Sequence, residues 1–94
     1  MNYQTIKKLQ KTYGYDQMQE MINTGTAWKM EGAFGRSAMS TLETGACMLP
    51  KEAYYDYYGN RVPSRDELKK GTKGTYQNCV SFWSKVDAGE IFLD

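Results

Sequence analysis

Apolar residues recur at helical spacing along most of the chain. Near the start, Tyr3, Ile6, Leu9 and Tyr13 fall three and four positions apart with Lys7, Lys8 and Lys11 outside them. That pattern predicts a first helix, capped by Asn2 and ended by Gly14. Asp16 with Gln19 three later has the form of a capping box, and Met18, Met21 and Ile22 supply the stripe of a short second helix stopped at Asn23-Thr24-Gly25. Thr26 then caps a segment carrying Ala27, Trp28 and Met30, which either turns at Gly32 or runs on into a third helix with Phe34, Ala38, Met39 and Leu42. A break is expected near Glu31-Gly32, with a Glu31–Arg36 ion pair pinning the corner. Gly35 and Ala38 give this third helix a low-profile face for a close neighbour, and Gly45 ends it. The clearest stripe comes last: Tyr76, Cys79, Val80, Trp83 and Val86, opened by Thr75 and closed by Gly89, with Ile91, Phe92 and Leu93 folding back onto the core.

Between these stripes the helical period is lost. Cys47-Met48-Leu49 reads as a short buried extended segment, because Pro50 disfavours helix at Leu49. From Lys51 to Pro63 the pattern is irregular: the tyrosines at 54, 55, 57 and 58 fit a helical turn or a strand, and Gly59-Asn60 is a turn dipeptide. Ser64 with Glu67 predicts a capped short helix through Leu68 to Lys70, closed by Gly71. The fold class expected is all-α (mostly α): residues 1–94 as a single domain, a bundle of four to five short helices, with one small β-hairpin around residues 46–62 as the structural alternative.

Composition narrows the chemistry. A net charge of +1 gives no global field that would select nucleic acid or an anionic membrane. The longest apolar runs, such as Ala46-Cys47-Met48-Leu49, fall far short of the roughly 20 residues a membrane span needs. Residues 1–15 read as a lysine-bearing amphipathic segment rather than a secretory signal, so a cytoplasmic protein with reduced, buried Cys47 and Cys79 is expected. With no histidine, the usual zinc site and the Ser-His and Cys-His nucleophile pairs are absent, and any catalysis would fall to carboxylates, lysine or tyrosine. The carboxylates are mostly scattered singly. No catalytic residue, metal ligand or cofactor is therefore assigned, and the expected function is not enzymatic.

Two local features invite a function. Gly71-Thr72-Lys73-Gly74-Thr75 precedes a helix and has some look of a phosphate cradle, but it lacks P-loop spacing and any preceding strand; it reads first as a capped connector, second as a minor anion site. The stronger bias is in tyrosine, 8 in 94 residues, with four of them between Tyr54 and Tyr58. Rings so crowded cannot all point inward, and Arg61, Arg65, Lys69, Lys70 and Lys73 follow them. Tyrosine and arginine are the residues interface hot spots favour. Tyr55, Tyr57, Tyr58, Arg61 and Arg65 are accordingly the candidates for capturing a protein partner or a second copy of the chain. The same tyrosines with Lys69, Lys70 and Lys73 are the alternative, a single-stranded nucleic-acid surface in which rings stack on bases and cations meet phosphates.

The stretches Gly45-Ala46-Cys47-Met48-Leu49-Pro50, Asp56-Tyr57-Tyr58-Gly59-Asn60-Arg61-Val62-Pro63-Ser64-Arg65 and Gly71-Thr72-Lys73-Gly74-Thr75 together resemble small proteins encoded by tailed bacteriophages, marine ones included. The resemblance covers most of the chain. It implies an accessory protein of the host cytoplasm and carries no mechanism with it.

Overall fold

The computed structural model describes residues 1–29, 32–56 and 58–93. Helix α1 (Tyr3–Tyr13) starts at Asn2, whose side-chain oxygen accepts from the Thr5 N–H, and stops at Gly14 in the left-handed region. Its buried positions are Ile6 and Gln10, one turn apart, while Tyr3 and Tyr13 stay on the rim and the three lysines face water. Helix α2 (Asp16–Thr24) comes next and ends at Gly25 as expected. The Asp16–Gln19 capping box does not form. Tyr15 holds the cap position without a side-chain bond, and Gln19, one turn in, is buried instead. Helices α3 (Thr26–Lys29) and α4 (Gly32–Thr44) follow; Met30 and Glu31, and with them the break expected near Glu31-Gly32 and the proposed Glu31–Arg36 pair, lie outside the described residues. Helix α5 (Tyr76–Asp87) begins at Thr75, whose hydroxyl accepts from the Asn78 N–H, and it packs on α1 and α4.

Of the low-profile face expected at Gly35 and Ala38 only the Ala38 half is used: Ala38 is fully buried in the core, whereas a Cβ at Gly35 would meet nothing within 4 Å. The close approach is at Gly45, just past the end of α4. Its φ is +100°, and a Cβ would lie 2.7 Å from the Phe82 Cβ and 2.8 Å from the Asn78 carbonyl oxygen, so α4 ends hard against α5.

The segment after Gly45 organises the core. Residues 46–50 are all buried and, as Pro50 requires, not helical. Ala46 and Met48 join a cluster with Ile6, Cys79, Trp83 and Val86, which Ile91 and Leu93 help to cover. Cys47 and Leu49 join a second cluster with Ile22, Ala27, Ala38 and Leu42. Successive side chains thus enter opposite halves of the interior. A non-helical segment buried on both sides leaves its N–H and C=O groups without the ladder a sheet would supply, and a buried unpaired backbone group is costly. Side chains fill that role. Gln10 and Trp83 each donate to the Ala46 oxygen, at 2.9 and 3.0 Å. Gln19 accepts from the Met48 N–H at 2.9 Å and donates to the Met48 oxygen at 2.8 Å, as a neighbouring strand would. The Arg65 Nε–H donates to the Leu49 oxygen at 2.8 Å, and the backbone N–H groups of Cys47 and Leu49 reach the Thr41 and Gly74 oxygens. Gln10 also donates to Gln19 at 2.9 Å, locking the two amides together.

The irregular stretch does contain a hairpin, shorter than the 46–62 span expected: β1 (Tyr54–Tyr55) pairs antiparallel with β2 (Arg61–Val62), Tyr54 opposite Val62 and Tyr55 opposite Arg61. Asp56 shapes its turn by accepting from the Tyr58 and Asn60 N–H groups at 2.9 and 2.8 Å. The short helix expected from Ser64 to Lys70 is absent; that segment is a run of turns. Half of its capping box is present, with the Ser64 N–H donating to the Glu67 carboxylate at 2.6 Å. The helix loses because so short a piece has little cooperativity of its own, and Arg65 is tied elsewhere, its N–H donating to the Pro50 oxygen and its side chain running inward.

Candidate functional site

The hairpin separates the tyrosines by role. On its inner side Tyr54 is an anchor: its hydroxyl accepts from the Trp28 indole N–H at 2.7 Å and donates to the Ile22 oxygen. Its ring lies across Gly25, with a carbon 3.3 Å from where a Cβ would stand. Burial holds this phenol above its ordinary pKa, and Val62, opposite it in the ladder, packs on the second core cluster. The other side faces solvent, with Tyr55 70% and Tyr58 79% exposed. Tyr57 lies outside the described residues.

The cations are not equivalent either. Arg61 is exposed but engaged, 2.6 Å from Glu67, whose other carboxylate oxygen takes the Ser64 N–H. That backbone N–H, with the Arg61 guanidinium second, holds the Glu67 carboxyl below its ordinary pKa. Lys73 lies 3.6 Å from Glu43, both well exposed, a pairing worth little in water. Lys69 and Lys70 are exposed and form no ion pair among the described residues. Arg65, expected at the surface for partner capture, is only 8% exposed. It bridges the Leu49 oxygen and the Asn23 side chain and lies 5.6 Å from the centre of the Tyr3 ring. It belongs to the interior and not to the hairpin face.

Beside β2 the structure opens a cleft of about 320 Å³ that the sequence does not announce. Its walls come from Trp28, Met39, Leu42, Leu49, Val62 and Leu68, and Asp56, Asn60, Arg61 and Lys73 stand around them. Met39 and Leu68 are 41% and 39% exposed, so part of this apolar lining is in water. The residues arrive from several separate stretches of chain, which is why no local pattern reveals them. An apolar hollow with a few polar groups at its mouth suits an aliphatic or aromatic group of a ligand.

The loop from Gly71 to Thr75 is the capped connector, with Thr75 as the N-cap of α5. Three of its five amides are already used: Thr72 donates to Lys69, Gly74 to Leu42 and Thr75 to Thr72, each at 3.2 Å. Both cysteines are free and buried. Burial pushes the Cys47 thiol up to about 11 and, with the neighbouring Cys47 adding to the effect, Cys79 up to about 12. Among the described residues no three metal-ligating side chains cluster, and no helix is long and apolar enough to cross a membrane.

No protein-family model matches the chain, and no curated protein or solved structure matches it.

Proposed function

We propose that this protein is a small binding module that captures a protein partner through the outer face of the hairpin and the apolar cleft beside it. The observation that carries the reading is the division of the tyrosines: Tyr54 is spent on anchoring while Tyr55 and Tyr58 are held in solvent at 70% and 79% exposure. Rigid aromatic rings give large contact area at low entropic cost, and an adjoining apolar hollow can receive an anchor side chain from the partner. Arg61, held by Glu67 and opposite Tyr55 in the ladder, is oriented for a polar contact at the edge of that patch. On this reading the partner is met in a host cytoplasm, the setting that the bacteriophage resemblance implies, and no catalysis is involved.

Affinity capture from a bacterial host lysate, with and without nuclease, tests it. A Tyr55→Ala/Tyr58→Ala/Leu68→Glu variant should keep the wild-type melting temperature and lose the wild-type capture profile. If the same proteins come down with the variant, this surface is wrong.

One observation favours a second reading. Lys69 and Lys70 are exposed cations without a carboxylate partner among the described residues, following the exposed tyrosines in the chain. Single-stranded nucleic acid would use the rings for stacking and the lysines for phosphates. Its affinity would fall steeply with salt, with a slope of roughly 0.7 per phosphate contacted, whereas a tyrosine-centred protein interface would be far less sensitive. A salt titration against a short labelled oligonucleotide separates the two, and absence of binding at low salt removes the second.

A further inference from the structure

Arg65 is the one buried charged side chain among the described residues, and every partner it has is neutral. Its Nε–H donates to the Leu49 oxygen at 2.8 Å, one Nη2–H donates to the Asn23 side-chain oxygen at 3.2 Å, and the Tyr3 ring flanks it. No carboxylate stands within 4 Å among the described residues. Taking a guanidinium out of water without a counter-charge is expensive. The third nitrogen, Nη1, has no acceptor among the described residues, yet no buried side-chain nitrogen or oxygen is left unsatisfied there. Nη1 must therefore reach an accessible surface.

Arg65 lines a second cleft, of about 640 Å³, which shares no lining residue with the apolar one. It lies between Tyr3 at the start of α1, Asn23 near the end of α2, residues 51–54, and Arg65. Lys51 supplies a second, exposed cation, and Tyr54 closes one wall. We infer that this cleft is an oxyanion site, which takes the carboxylate or phosphate group of a small ligand on the free edge of the Arg65 guanidinium, with Lys51 as the second charge. A guanidinium already fixed by two hydrogen bonds and a flanking ring has little left to lose in ordering, and its planar edge matches either oxyanion. Glu52 and Asp66 also line the cleft, exposed and in no ion pair among the described residues. They oppose an anion and lower its affinity, which gives the site a signature that general stabilisation by salt lacks. The oxyanion site is independent of the hairpin's outer face: Tyr55, Tyr58 and Leu68 take no part in it.

The test is a titration of the full chain with inorganic phosphate and, separately, with acetate, at constant ionic strength and neutral pH. Backbone amides and the Arg65 Nε–H are followed by NMR. The expected result is saturable shifts at Arg65 and residues 51–54 with at least one of the two anions, which also identifies the preferred oxyanion. Lys51→Gln should weaken binding, and Glu52→Gln/Asp66→Asn should strengthen it. Each change should be about threefold or more, as one unit charge several ångströms away in a wet cleft provides. Those three positions are exposed, so their variants should fold; Arg65→Lys, which keeps charge but loses the fork and the Nε–H bond to the Leu49 oxygen, should bind more weakly and be less stable. The inference is overturned if neither anion gives saturable shifts there, or if the affinity ignores both the Lys51 and the Glu52/Asp66 changes.

Discussion

Gln10 and Gln19 are of one residue type, 2% and 5% exposed, and hydrogen-bonded to each other, yet they should differ sharply in what their loss costs. The perturbation is Gln→Met at each site, which keeps length and approximate volume and removes only the amide. At Gln19 the change strands both backbone groups of Met48, a residue with no exposed surface, since Gln19 is the partner of its N–H and of its C=O. Each stranded buried group costs about 1–3 kcal/mol, so Gln19→Met should destabilise by about 2–6 kcal/mol. At Gln10 no backbone group is stranded. The Ala46 oxygen keeps the Trp83 indole N–H at 3.0 Å, and the Gln19 oxygen keeps the Met48 N–H. Gln10→Met therefore loses only net hydrogen-bond energy, about 1 kcal/mol.

Urea unfolding at 25 °C, followed by tryptophan fluorescence with m checked for constancy, measures both. Against the roughly 5–15 kcal/mol that a small domain typically has, the Gln19 variant should be marginal or partly unfolded and the Gln10 variant plainly native. The two amides touch, so the double variant should cost less than the sum of the singles. If the two single variants lie within about 0.5 kcal/mol of each other, these amides do not hold the backbone of residues 46–50, and the core must be organised in some other way.

Gly45→Ala should destabilise by about 2–4 kcal/mol, from left-handed strain plus a Cβ pressed to 2.7 Å from Phe82, and lower Tm by roughly 10 °C or more; calorimetry checks it. With pKa values near 11 and 12, Cys47 and Cys79 should resist a thiol reagent at pH 8 in the native protein and react at once in denaturant, so that labelling reports opening of the core. The Glu67 pKa is depressed in the fold, so its clamp on Ser64 and Arg61 contributes in full above the ordinary value of about 4.3 and is lost as pH falls through the lower folded value. The stability difference between wild type and Glu67→Gln should shrink over that acid range and stay constant from about pH 5 to 7.

The long stripes were legible because burial on one face repeats every turn: α1 and α5 lie where the spacing of Ile6 and Leu9, and of Cys79, Trp83 and Val86, puts them. Pro50 likewise announced a non-helical segment. The glutamines were readable in principle, since Gln10 sits four residues after Ile6 and Gln19 three before Ile22, on the faces those residues bury. A polar residue on an apolar face is a signal that something buried needs hydrogen bonds. Arg65 gave no such sign, being embedded in a polar, cationic stretch whose surface role was the natural reading. Its inward course is decided by the Leu49 and Pro50 oxygens, groups some fifteen residues away that no local window relates to it. The same distance effect erased the Ser64–Lys70 helix, in which a correct capping signal was overruled by tertiary contacts, and it hid the cleft beside β2.

Two-stranded hairpins are marginal in water by themselves, so a hairpin that presents aromatic rings needs tethers that do not use those rings. Here it has three: Tyr54 bonded to α2 and α3, Val62 packed on the second core cluster, and the Arg61–Glu67 pair joining β2 to the turns after it. None draws on Tyr55 or Tyr58. On the proposed binding role, immobilising the hairpin before a partner arrives would remove part of the entropic cost of association, so the tethers would bear on affinity as well as on stability. The buried amides serve the same end from inside, because residues 46–50 lead directly into the chain that forms the hairpin, and Arg65, which returns from it, is fixed to the Leu49 and Pro50 oxygens. The hairpin is therefore closed at its base by the same polar groups that hold the central segment. Substitutions at Gln19 should loosen it from a distance, whereas Tyr55 and Tyr58 can be changed without disturbing the core.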